Sequence, residues 1–480
     1  MSSAPVSLPL GTDYAALLPA FIVAITPLAI LFVDLFFRRG GTPRRAVAVL
    51  LAVIGLVAAG WVDATQYGHD VVAFGGAFVQ GGFSVVFGEI VIIATIATLL
   101  LSLGIGRDDQ VAGTTALLLW SASGAMLMAG ANSLMTVFLG LELLSLALYC
   151  LCAMSPRKTS RESALKYLIL SSMASGFLLY GSALLFGATG SVNFSDLAVA
   201  PLTPLLALGA GLFLVGLAFK LSLVPFHVWT PDVYEGAPLP VTAFMSVATK
   251  AGTLAVLARF AYGALPADRA SAILVPLWVV AALSMIIGNL AALAQIDMKR
   301  LLAYSGIAQV GYIVAAFAGQ TPLGLRYAIF YLAAYTFMNL GAFAVVALMA
   351  REGDAVVGLG RFAGLAHRRP WLAGAMTFFL IGLAGLPPTA GFTGKVLILA
   401  AATSAGYAWL AGILILGTAI SAYVYFKIVR AMFVQVDAAH VHDERSASVL
   451  PWFAVGVCAA ATFVLGLIPL TPSNILPHVH

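Results

Sequence analysis

Residues 211–252 read GLFLVGLAFKLSLVPFHVWTPDVYEGAPLPVTAFMSVATKAG, and this stretch places two lysines inside apolar helical sequence. Lys220 and Lys250 flank a turn that is rich in proline and aromatic residues. A charged side chain at the centre of a bilayer costs about 2.5–3.5 kcal/mol on insertion scales, and such residues usually belong to proton or ion pathways. The alternative is that both lysines extend their amines to a membrane surface, which suits Lys220 better because it lies near a helix end.

The rest of the chain has the composition of a polytopic membrane protein. Of its 480 residues, 62% are hydrophobic and only 9% are charged, whereas soluble domains contain about 25% charged residues. An all-α fold follows, because lipid offers no hydrogen-bond partner to an unpaired backbone. The net charge of +5 falls mostly in short loops, so we expect the lipid bilayer, and no nucleic acid, as a partner.

Hydrophobic runs divide the chain into fourteen predicted spans, since one crossing needs about 20 apolar residues. The spans are Tyr14–Phe37, Arg45–Trp61, Phe83–Ile105, Val111–Gly130, Asn132–Met154, Ala164–Thr189, Leu202–Phe226, Leu239–Tyr262, Ser271–Leu293, Leu301–Gly319, Leu323–Ala350, Trp371–Thr403, Tyr407–Phe433 and Val449–Leu470.

Basic residues outside the spans predict the orientation of the chain. Sixteen Lys and Arg residues fall on one side, among them Lys299 and Arg300, and three fall on the other, Arg259, Arg269 and Arg326. Because basic loops stay on the cytoplasmic side, we expect the sixteen on that face and both termini on the opposite one.

The five remaining basic residues lie within predicted spans, and all of them are lysines. An arginine stays charged almost anywhere, whereas a desolvated lysine can release its proton. Lys220, Lys250 and Lys395 are therefore candidates for proton transfer. Lys166 and Lys427 lie towards span ends, where we expect the amine to reach the surface.

One acid also lies deep within a span. Glu142 is near the middle of the fifth span, where it needs a partner or a hydrated cavity. With Lys220, Lys250 and Lys395 it forms a predicted row at mid-membrane depth. An acid beside Lys220 favours the charged amine, and withdrawal of that acid lets the apolar surroundings expel the proton. A two-state change in this pair would load and unload one proton.

Histidines offer one further candidate and no metal site. His227 lies in the turn between Lys220 and Lys250, and an unperturbed histidine has a pKa of about 6.5. It would relay protons between the lysines or towards the cytoplasmic face; the alternative is a packing histidine that hydrogen-bonds the turn. The histidines expected in a loop and a tail are His440, His442, His478 and His480. Metal sites need three or four convergent ligands, and nucleotide and iron–sulfur motifs are lacking, so we expect no cofactor in this chain.

Two of the spans are interrupted by helix-breaking residues. The seventh contains Pro225, and the twelfth contains GLAGLPPTAGFTGK at residues 382–395; proline and glycine disfavour a continuous helix. Matched broken spans in two halves indicate an inverted repeat with its site at the breaks. We expect spans four to eight to repeat as spans nine to thirteen. The predicted segments are an N-terminal three-helix segment at 1–110, two proton half-channels at 111–265 and 266–435, and a C-terminal helix and tail at 436–480.

Four motifs together resemble a known family. They are FKLSLVPFHVWTPDVYEGAP at residues 219–238, the span around Glu142, DMKRLLAYSGIAQVGY at 297–312 and GLPPTAGFTGK at 385–395. In combination they are similar to the antiporter-like subunits of respiratory complex I, and most similar to the branch that holds subunit N, the counterpart of mitochondrial subunit 2. The wider family includes the Mrp-type cation/proton antiporters.

The resemblance implies a fold, a role and an environment. It implies fourteen helices with two inverted five-helix repeats, broken helices seven and twelve, and a location in the bacterial inner membrane. Glu142 and Lys220 would form the coupling pair of the first half-channel, Lys250 the bridge, Lys395 the terminal group of the second, and Lys166 an accessory basic residue. The chain would carry no cofactor. The parent complex would use FMN, iron–sulfur clusters and quinone, and the partners would be other membrane subunits and, through them, the NADH-oxidising arm.

Three functions of different classes remain open from the sequence. The first is a proton-translocating subunit of NADH–quinone oxidoreductase, with no redox chemistry in this chain. The second is a subunit of an Mrp-type Na⁺ or K⁺/proton antiporter. The third is a structural membrane subunit whose buried charges only fix helices together. The first two differ in their partners, and the third predicts normal pumping after neutral replacement of Glu142 or Lys220.

Overall fold

The structure is a computed structural model, and it describes residues 11–37, 42–105, 110–265, 270–350, 357–434 and 449–469. The first part of the chain forms α1 (Gly11–Asp34), α2 (Thr42–Thr65), a hairpin of β1 (Val71–Ala73) and β2 (Phe78–Gln80), α3 (Gly82–Ile105), α4 (Val111–Gly130), α5 (Leu134–Ala153), α6 (Lys158–Thr189), α7 (Phe194–Val199), α8 (Pro204–Leu221), α9 (Trp229–Gly236) and α10 (Leu239–Arg259). The second part forms α11 (Ala270–Leu293), α12 (Met298–Ala315), α13 (Pro322–Met349), α14 (Leu365–Arg368), α15 (Pro370–Ala384), α16 (Ala390–Ser404), α17 (Ala408–Val434) and α18 (Val449–Leu467).

The predicted all-α polytopic fold is confirmed. Twelve of the described helices are long and apolar enough to cross a membrane. The two remaining predicted spans correspond to α12 and to the pair α15 and α16. The sixth helix begins at Lys158, six residues before the apolar run at Ala164, because polar residues can continue a helix beyond the hydrophobic stretch. The hairpin was not predicted, since strands of three residues are too short to show alternation.

Both predicted helix breaks are confirmed. The seventh span divides into α8 and α9, and Ser222 at the end of α8 has a left-handed φ of 63°. The twelfth divides into α15 and α16, with Gly385 at φ 82° after α15. Pro225 and the Pro387–Pro388 pair follow these two ends, and proline cannot donate the backbone hydrogen bond that would continue a helix.

The helices between α4 and α17 make two sets of matching contacts. In the first set α4 packs against α5 and α10, and α6 packs against α8 and α9. In the second set α11 packs against α12 and α17, and α13 packs against α15 and α16. Glycines allow close approach of α4 to α5 and of α11 to α12. A Cβ added at Gly124 would lie 2.5 Å from the Leu144 nitrogen, and one added at Gly288 would lie 2.9 Å from the Ala308 nitrogen. The contacts support the two predicted repeats, while the four segment boundaries stay a prediction.

Helix α10 lies at the centre of the bundle. Every residue from Leu239 to Arg259 is buried except Pro240, and the helix contacts α3, α4, α8 and α13. The polar and charged side chains of α10 therefore face protein on all sides, and Lys250 is one of them.

Two basic residues beyond the five lysines of the predicted spans are buried. Arg259 is only 1% exposed; its Nη2 donates to the Val79 carbonyl at 3.1 Å, and its Nε donates to the Ala129 carbonyl at 3.3 Å. Burial of a basic residue is therefore not confined to lysines, because hairpin and helix-end carbonyls provide Arg259 with acceptors that the sequence does not reveal. Lys299 is also buried, at 1% exposure.

Several predicted residues lie outside the described part of the chain. They are Arg38, Arg39, Arg107, Arg269, Arg351, Arg445, His440, His442, His478 and His480.

Candidate functional site

Lys220 is held in the interior by two hydroxyl groups. It lies at the end of α8 and is 1% exposed. Its Nζ donates to Ser145 Oγ on α5 at 2.8 Å and to the Tyr167 hydroxyl on α6 at 2.7 Å. The amine also lies 5.0 Å from the centroid of the Tyr167 ring. Extension of this lysine to the membrane surface, the alternative from the sequence, does not occur.

Lys250 docks on the end of the helix that carries Lys220. Its Nζ donates to Ser222 Oγ at 2.5 Å and to the Lys220 carbonyl at 3.0 Å. In a continuous helix that carbonyl would accept from the Val224 N–H, but here Val224 donates to Ser284 Oγ at 2.8 Å. The break thus frees the acceptor, and the partial negative charge at a helix C-terminus favours an ammonium. We call Lys220 and Lys250 the lysine pair.

Lys395 docks on the second break in the same way. It lies on α16 and is 4% exposed, and its Nζ donates to the carbonyls of Leu383 at 3.0 Å and Ala384 at 3.1 Å. The residues four positions later are Pro387 and Pro388, which have no N–H to donate. The amine therefore satisfies two carbonyls that the break leaves without a helical donor.

Neutral polar side chains form two hydrogen-bonded groups along α13, one beside α10 and one at Lys395. Asn339 on α13 donates through Nδ2 to Ser246 Oγ at 2.6 Å, and Ser246 lies one turn before Lys250 on α10. The Tyr331 hydroxyl on α13 donates to Gln309 Oε1 at 2.5 Å. Gln309 Nε2 in turn donates at 3.1 Å to the Leu383 carbonyl, which also accepts from Lys395.

Tyr335 completes this polar row. Tyr331, Tyr335 and Asn339 are spaced four residues apart and share one face of α13, and all three are buried. The Tyr335 hydroxyl and Asn339 Oδ1 have no hydrogen-bond partner among the described residues, although buried polar atoms usually have one. Sequence reasoning missed this row because it searched for charged residues, yet the spacing was visible.

Glu142 lies near Lys220 without contacting its amine. It is half-buried on α5, one turn before Ser145. Its Oε1 is buried and has no hydrogen-bond partner in the described ranges, whereas the Lys220 amine is bonded to Ser145 and Tyr167. The Lys220 amine therefore bonds to two hydroxyls and not to the acid, and the coupling of Glu142 with Lys220 stays a prediction.

His227 is not brought to either amine of the lysine pair. It lies between α8 and α9, half-buried, with its ring centroid 6.4 Å from that of Tyr304. Its Nδ1 has no partner in the part of the chain that the structure describes. Ser222 and the Lys220 carbonyl, rather than this imidazole, join the two lysines, so the relay role of His227 stays a prediction.

A charged cavity of about 250 Å³ opens near the first turn of α6, and its lining includes Lys166, Asp232 and Arg300. Lys166 is exposed, and its Nζ lies 2.9 Å from Glu162 Oε1 and 3.2 Å from Asp232 Oδ2. Burial raises the pKa of Asp232, but hydrogen bonds from Arg300 and Lys166 outweigh it and hold that pKa below its ordinary value. The carboxylate is therefore ionised at neutral pH. Lys166 lies at a span end, as predicted.

Comparisons with known proteins identify the family. The family model described as NADH:quinone oxidoreductase/Mrp antiporter, TM, matches residues 131–421. NADH-quinone oxidoreductase subunit N 1 of Symbiobacterium thermophilum is 40% identical, over 98% of this chain and 99% of the relative. The chain belongs to the antiporter-like subunits of respiratory complex I, in the subunit N branch. The resemblance seen in its motifs is confirmed.

Other members of the subunit N branch and solved structures agree. Subunit N of Trichlorobacter lovleyi is 39% identical over 94% of each chain. A chain of respiratory complex I from Thermus thermophilus with bound aureothin is 34% identical and has a TM-score of 0.82, covering 96% of this chain and 99% of that one. A chain of the Mrp complex from Dietzia sp. has a TM-score of 0.78 at 24% identity, covering 95% and 93%, and it shows the fold alone.

Among the residues that the structure describes in this subunit N relative, no group of three or more His, Cys, Asp or Glu is placed to hold a metal ion. What the buried site provides is three amines on hydroxyl and carbonyl oxygens, with amide and phenol groups between them. Amines and phenols of this kind can accept and donate protons.

Proposed function

We propose that this chain is a proton-translocating membrane subunit of NADH–quinone oxidoreductase. The supporting observation is the row of three lysines, each at most 4% exposed, whose amines meet neutral oxygens, two of them at helix breaks. An ionised amine in a desolvated site is costly unless it is hydrogen-bonded, and a lysine that can release its proton is suited to transfer. The relatives that bear the name subunit N support the same assignment.

The proposed path follows the buried row, and water would carry the proton wherever no hydrogen bond joins two of its groups. A proton enters on Lys220, where Glu142 favours the charged form, and passes through water to Lys250, whose amine donates to Ser222. From Lys250 it continues past the polar face of α13 to Gln309 and Lys395. Water would complete the path at Tyr335 and Asn339, whose unpartnered polar atoms can each take a further hydrogen bond. His227 and Lys166 would act beside this path, His227 as a second relay and Lys166 as an accessory group at the charged cavity.

The energies are of the right order for one proton per change of state. Moving one charge against about 100 mV costs about 2.3 kcal/mol. A change of about 100-fold to 1,000-fold in proton affinity corresponds to about 2.7–4.1 kcal/mol. Movement of Glu142 relative to Lys220 could therefore drive a proton across in principle, with the energy supplied outside this chain.

The location and partners follow from the family and the charge distribution. We place the chain in the bacterial inner membrane, with the face that carries the sixteen basic residues towards the cytoplasm and both termini in the periplasm. Its partners would be the other membrane subunits and, through them, the NADH-oxidising arm. FMN, iron–sulfur clusters and quinone would belong to the parent complex. The segments at 111–265 and 266–435 would each form one proton half-channel.

The second candidate is a subunit of an Mrp-type Na⁺ or K⁺/proton antiporter. The supporting observation is the fold that this chain shares with a chain of the Mrp complex from Dietzia sp.. Co-purification separates the two. Partners of the proposed complex bring flavin and iron–sulfur absorbance, whereas an antiporter assembly is colourless.

Replacement of Lys220 tests the proposed function directly. In sealed vesicles that oxidise NADH, Lys220→Ala is expected to lower the number of protons translocated per NADH, measured with a pH-sensitive dye and NADH absorbance. Lys427→Ala is the matched control, because this exposed lysine on α17 donates to the Leu293 carbonyl, at 3.1 Å, and to no other group in the described part of the chain. Normal pumping by assembled Lys220→Ala complexes would support the structural alternative and overturn the proposal.

A further inference from the structure

Two consecutive basic residues of α12 hold the C-terminal end of α9. Arg300 Nη1 donates to Asp232 Oδ1 at 2.7 Å and to Glu235 Oε2 at 2.8 Å. Lys299 Nζ donates to the Ala237 carbonyl at 3.1 Å and also to the Glu235 carbonyl. We call Lys299 and Arg300 the α12 clasp. It joins an element of the first predicted half-channel to an element of the second.

The α12 clasp is fixed by its own surroundings. Asp297 caps the N-terminus of α12, and its carboxylate accepts from the Arg300 N–H at 2.9 Å and from the Val357 N–H at 2.7 Å. Arg300 Nε donates to Gln295 Oε1 at 3.1 Å. Several bonds therefore orient the guanidinium. A shift of the N-terminal end of α12 would move α9 as well, through the bonds of Arg300 to Asp232 and Glu235.

The N-terminal end of α9 touches the groups that bind the lysine pair. Trp229 stacks on Tyr167 with ring centroids 4.8 Å apart and planes at 16°. The Thr230 hydroxyl donates to Ser222 Oγ at 2.7 Å. Tyr167 and Ser222 are the hydroxyls that accept from the two amines. One helix of eight residues, about 12 Å long, thus connects the α12 clasp to the lysine pair.

The other end of α12 reaches Lys395. Gln309 shares the Leu383 carbonyl with Lys395, and the Tyr312 ring centroid lies 4.6 Å from the Lys395 amine. We propose that Lys299 and Arg300 are positioning residues that couple the Lys395 site to the lysine pair, by setting the position of α9 relative to α12. This inference rests on the proposed function. It adds a mechanical connection beside the polar row on α13.

Loss of the α12 clasp should release α9. Without Arg300, Asp232 and Glu235 would lose their shared cation, and of the α12 clasp only Lys299 would still hold the C-terminal turn of α9. In the intact purified complex, Arg300→Gln is expected to speed amide hydrogen exchange in residues 229–237 by at least about fivefold, the lower range of a measurable coupling. Arg161→Gln is the control. Among the described residues, this arginine of α6 donates only to a residue close in sequence, through the Pro156 carbonyl at 3.2 Å.

Coupling is tested by combining variants at the two ends of α12. Lys395→Gln is expected to change exchange in residues 229–237 in the otherwise unchanged complex, and to have no such effect when Arg300→Gln is also present. A merely structural clasp would leave the effect of Lys395→Gln equal in both backgrounds. If Arg300→Gln fails to assemble, Asp232→Ala with Glu235→Ala removes the two carboxylates that accept from Arg300 and should give the same exchange result.

Different measurements would overturn the coupling role of the α12 clasp and the proposed function. Unchanged exchange in Arg300→Gln, or equal effects of Lys395→Gln in both backgrounds, overturns the coupling role of the α12 clasp. Normal proton translocation in Lys220→Ala overturns the proposed function without any reference to α9. Protons per NADH in Arg300→Gln are expected to fall in parallel with the loosening of α9, and to recover in part in Arg300→Lys.

Discussion

At the scale of single residues, the buried amines are held by neutral oxygens and not by carboxylates. The Lys220 amine donates to two hydroxyls, and the Lys395 amine donates to two carbonyls. A carboxylate in direct contact would stabilise the ammonium strongly and oppose release of its proton. Hydroxyl and carbonyl acceptors bind the ammonium less strongly, which suits a group that must be loaded and unloaded.

The Tyr167 hydroxyl is expected to contribute to this balance. Tyr167→Phe removes an acceptor 2.7 Å from the Lys220 amine while keeping the ring that stacks on Trp229. A hydrogen bond to a charged group is worth about 1.5–3 kcal/mol. We therefore expect the rate of proton translocation to change by about tenfold or more, while the complex assembles normally. The measurement is dye-detected proton uptake in sealed vesicles.

Tyr149→Phe provides the matched control. Its ring lies edge-on to Tyr167 with centroids 5.0 Å apart, and neither bond of the Lys220 amine goes to it. Equal rates in the two tyrosine variants would show that the Tyr167 hydroxyl has no part in proton transfer.

The sequence was sufficient to find the charged members of the site and insufficient to find the neutral ones. Lysines within apolar runs are conspicuous because charge is rare there. Tyrosine, serine and glutamine are common in buried helices, so Tyr167, Gln309 and Tyr331 gave no comparable signal. Their roles depend on which helices meet, and that information is tertiary.

At the scale of secondary structure, both helix breaks create binding sites for amines. Proline and glycine predicted where α8 and α15 end, because these residues remove donors or permit left-handed backbone. The identity of the amine was not predictable in the same way. Lys250 reaches the end of α8 from α10, whereas Lys395 reaches the end of α15 from the following helix, α16.

Gly385 is expected to be required for the second of these sites. Its φ is 82°, and an added Cβ would lie 2.7 Å from Lys395 Cδ. A left-handed backbone costs a non-glycine residue about 1–2 kcal/mol, and the contact would displace the lysine as well. Gly385→Ala should therefore reduce both the amount of assembled complex and its protons per NADH, measured by native gel and vesicle assays.

Gly374→Ala is the control for that substitution. Gly374 lies on α15 with nothing within 4 Å of an added Cβ, so the change should be tolerated and should slightly favour the helix. If Gly385→Ala behaved like Gly374→Ala, the close approach of Lys395 to the break would not matter for assembly or transport.

At the scale of the whole molecule, buried polar groups attach the N-terminal three-helix segment to the central helix. Asp63 on α2 is 2% exposed and accepts from Gln80 Nε2 of the hairpin at 2.6 Å. The neighbouring residue Val79 accepts from Arg259 of α10. Neither Asp63 nor Arg259 was a candidate from the sequence, because both lie near span ends where charged residues are ordinary.

Arg259 is expected to fix this attachment without taking part in proton transfer. Arg259→Met keeps much of the side-chain volume, removes the Arg259 bond to the Ala129 carbonyl and leaves the Val79 carbonyl with the Ser84 hydroxyl as donor, and a buried unsatisfied group costs about 1–3 kcal/mol. The thermal stability of the complex should fall, and residues 71–80 should become more sensitive to protease, while protons per NADH in surviving complexes stay normal. Arg430→Met is the control, because Arg430 is exposed on α17. A fall in protons per NADH at unchanged stability would instead place Arg259 in the proton path, and would extend that path into the N-terminal segment.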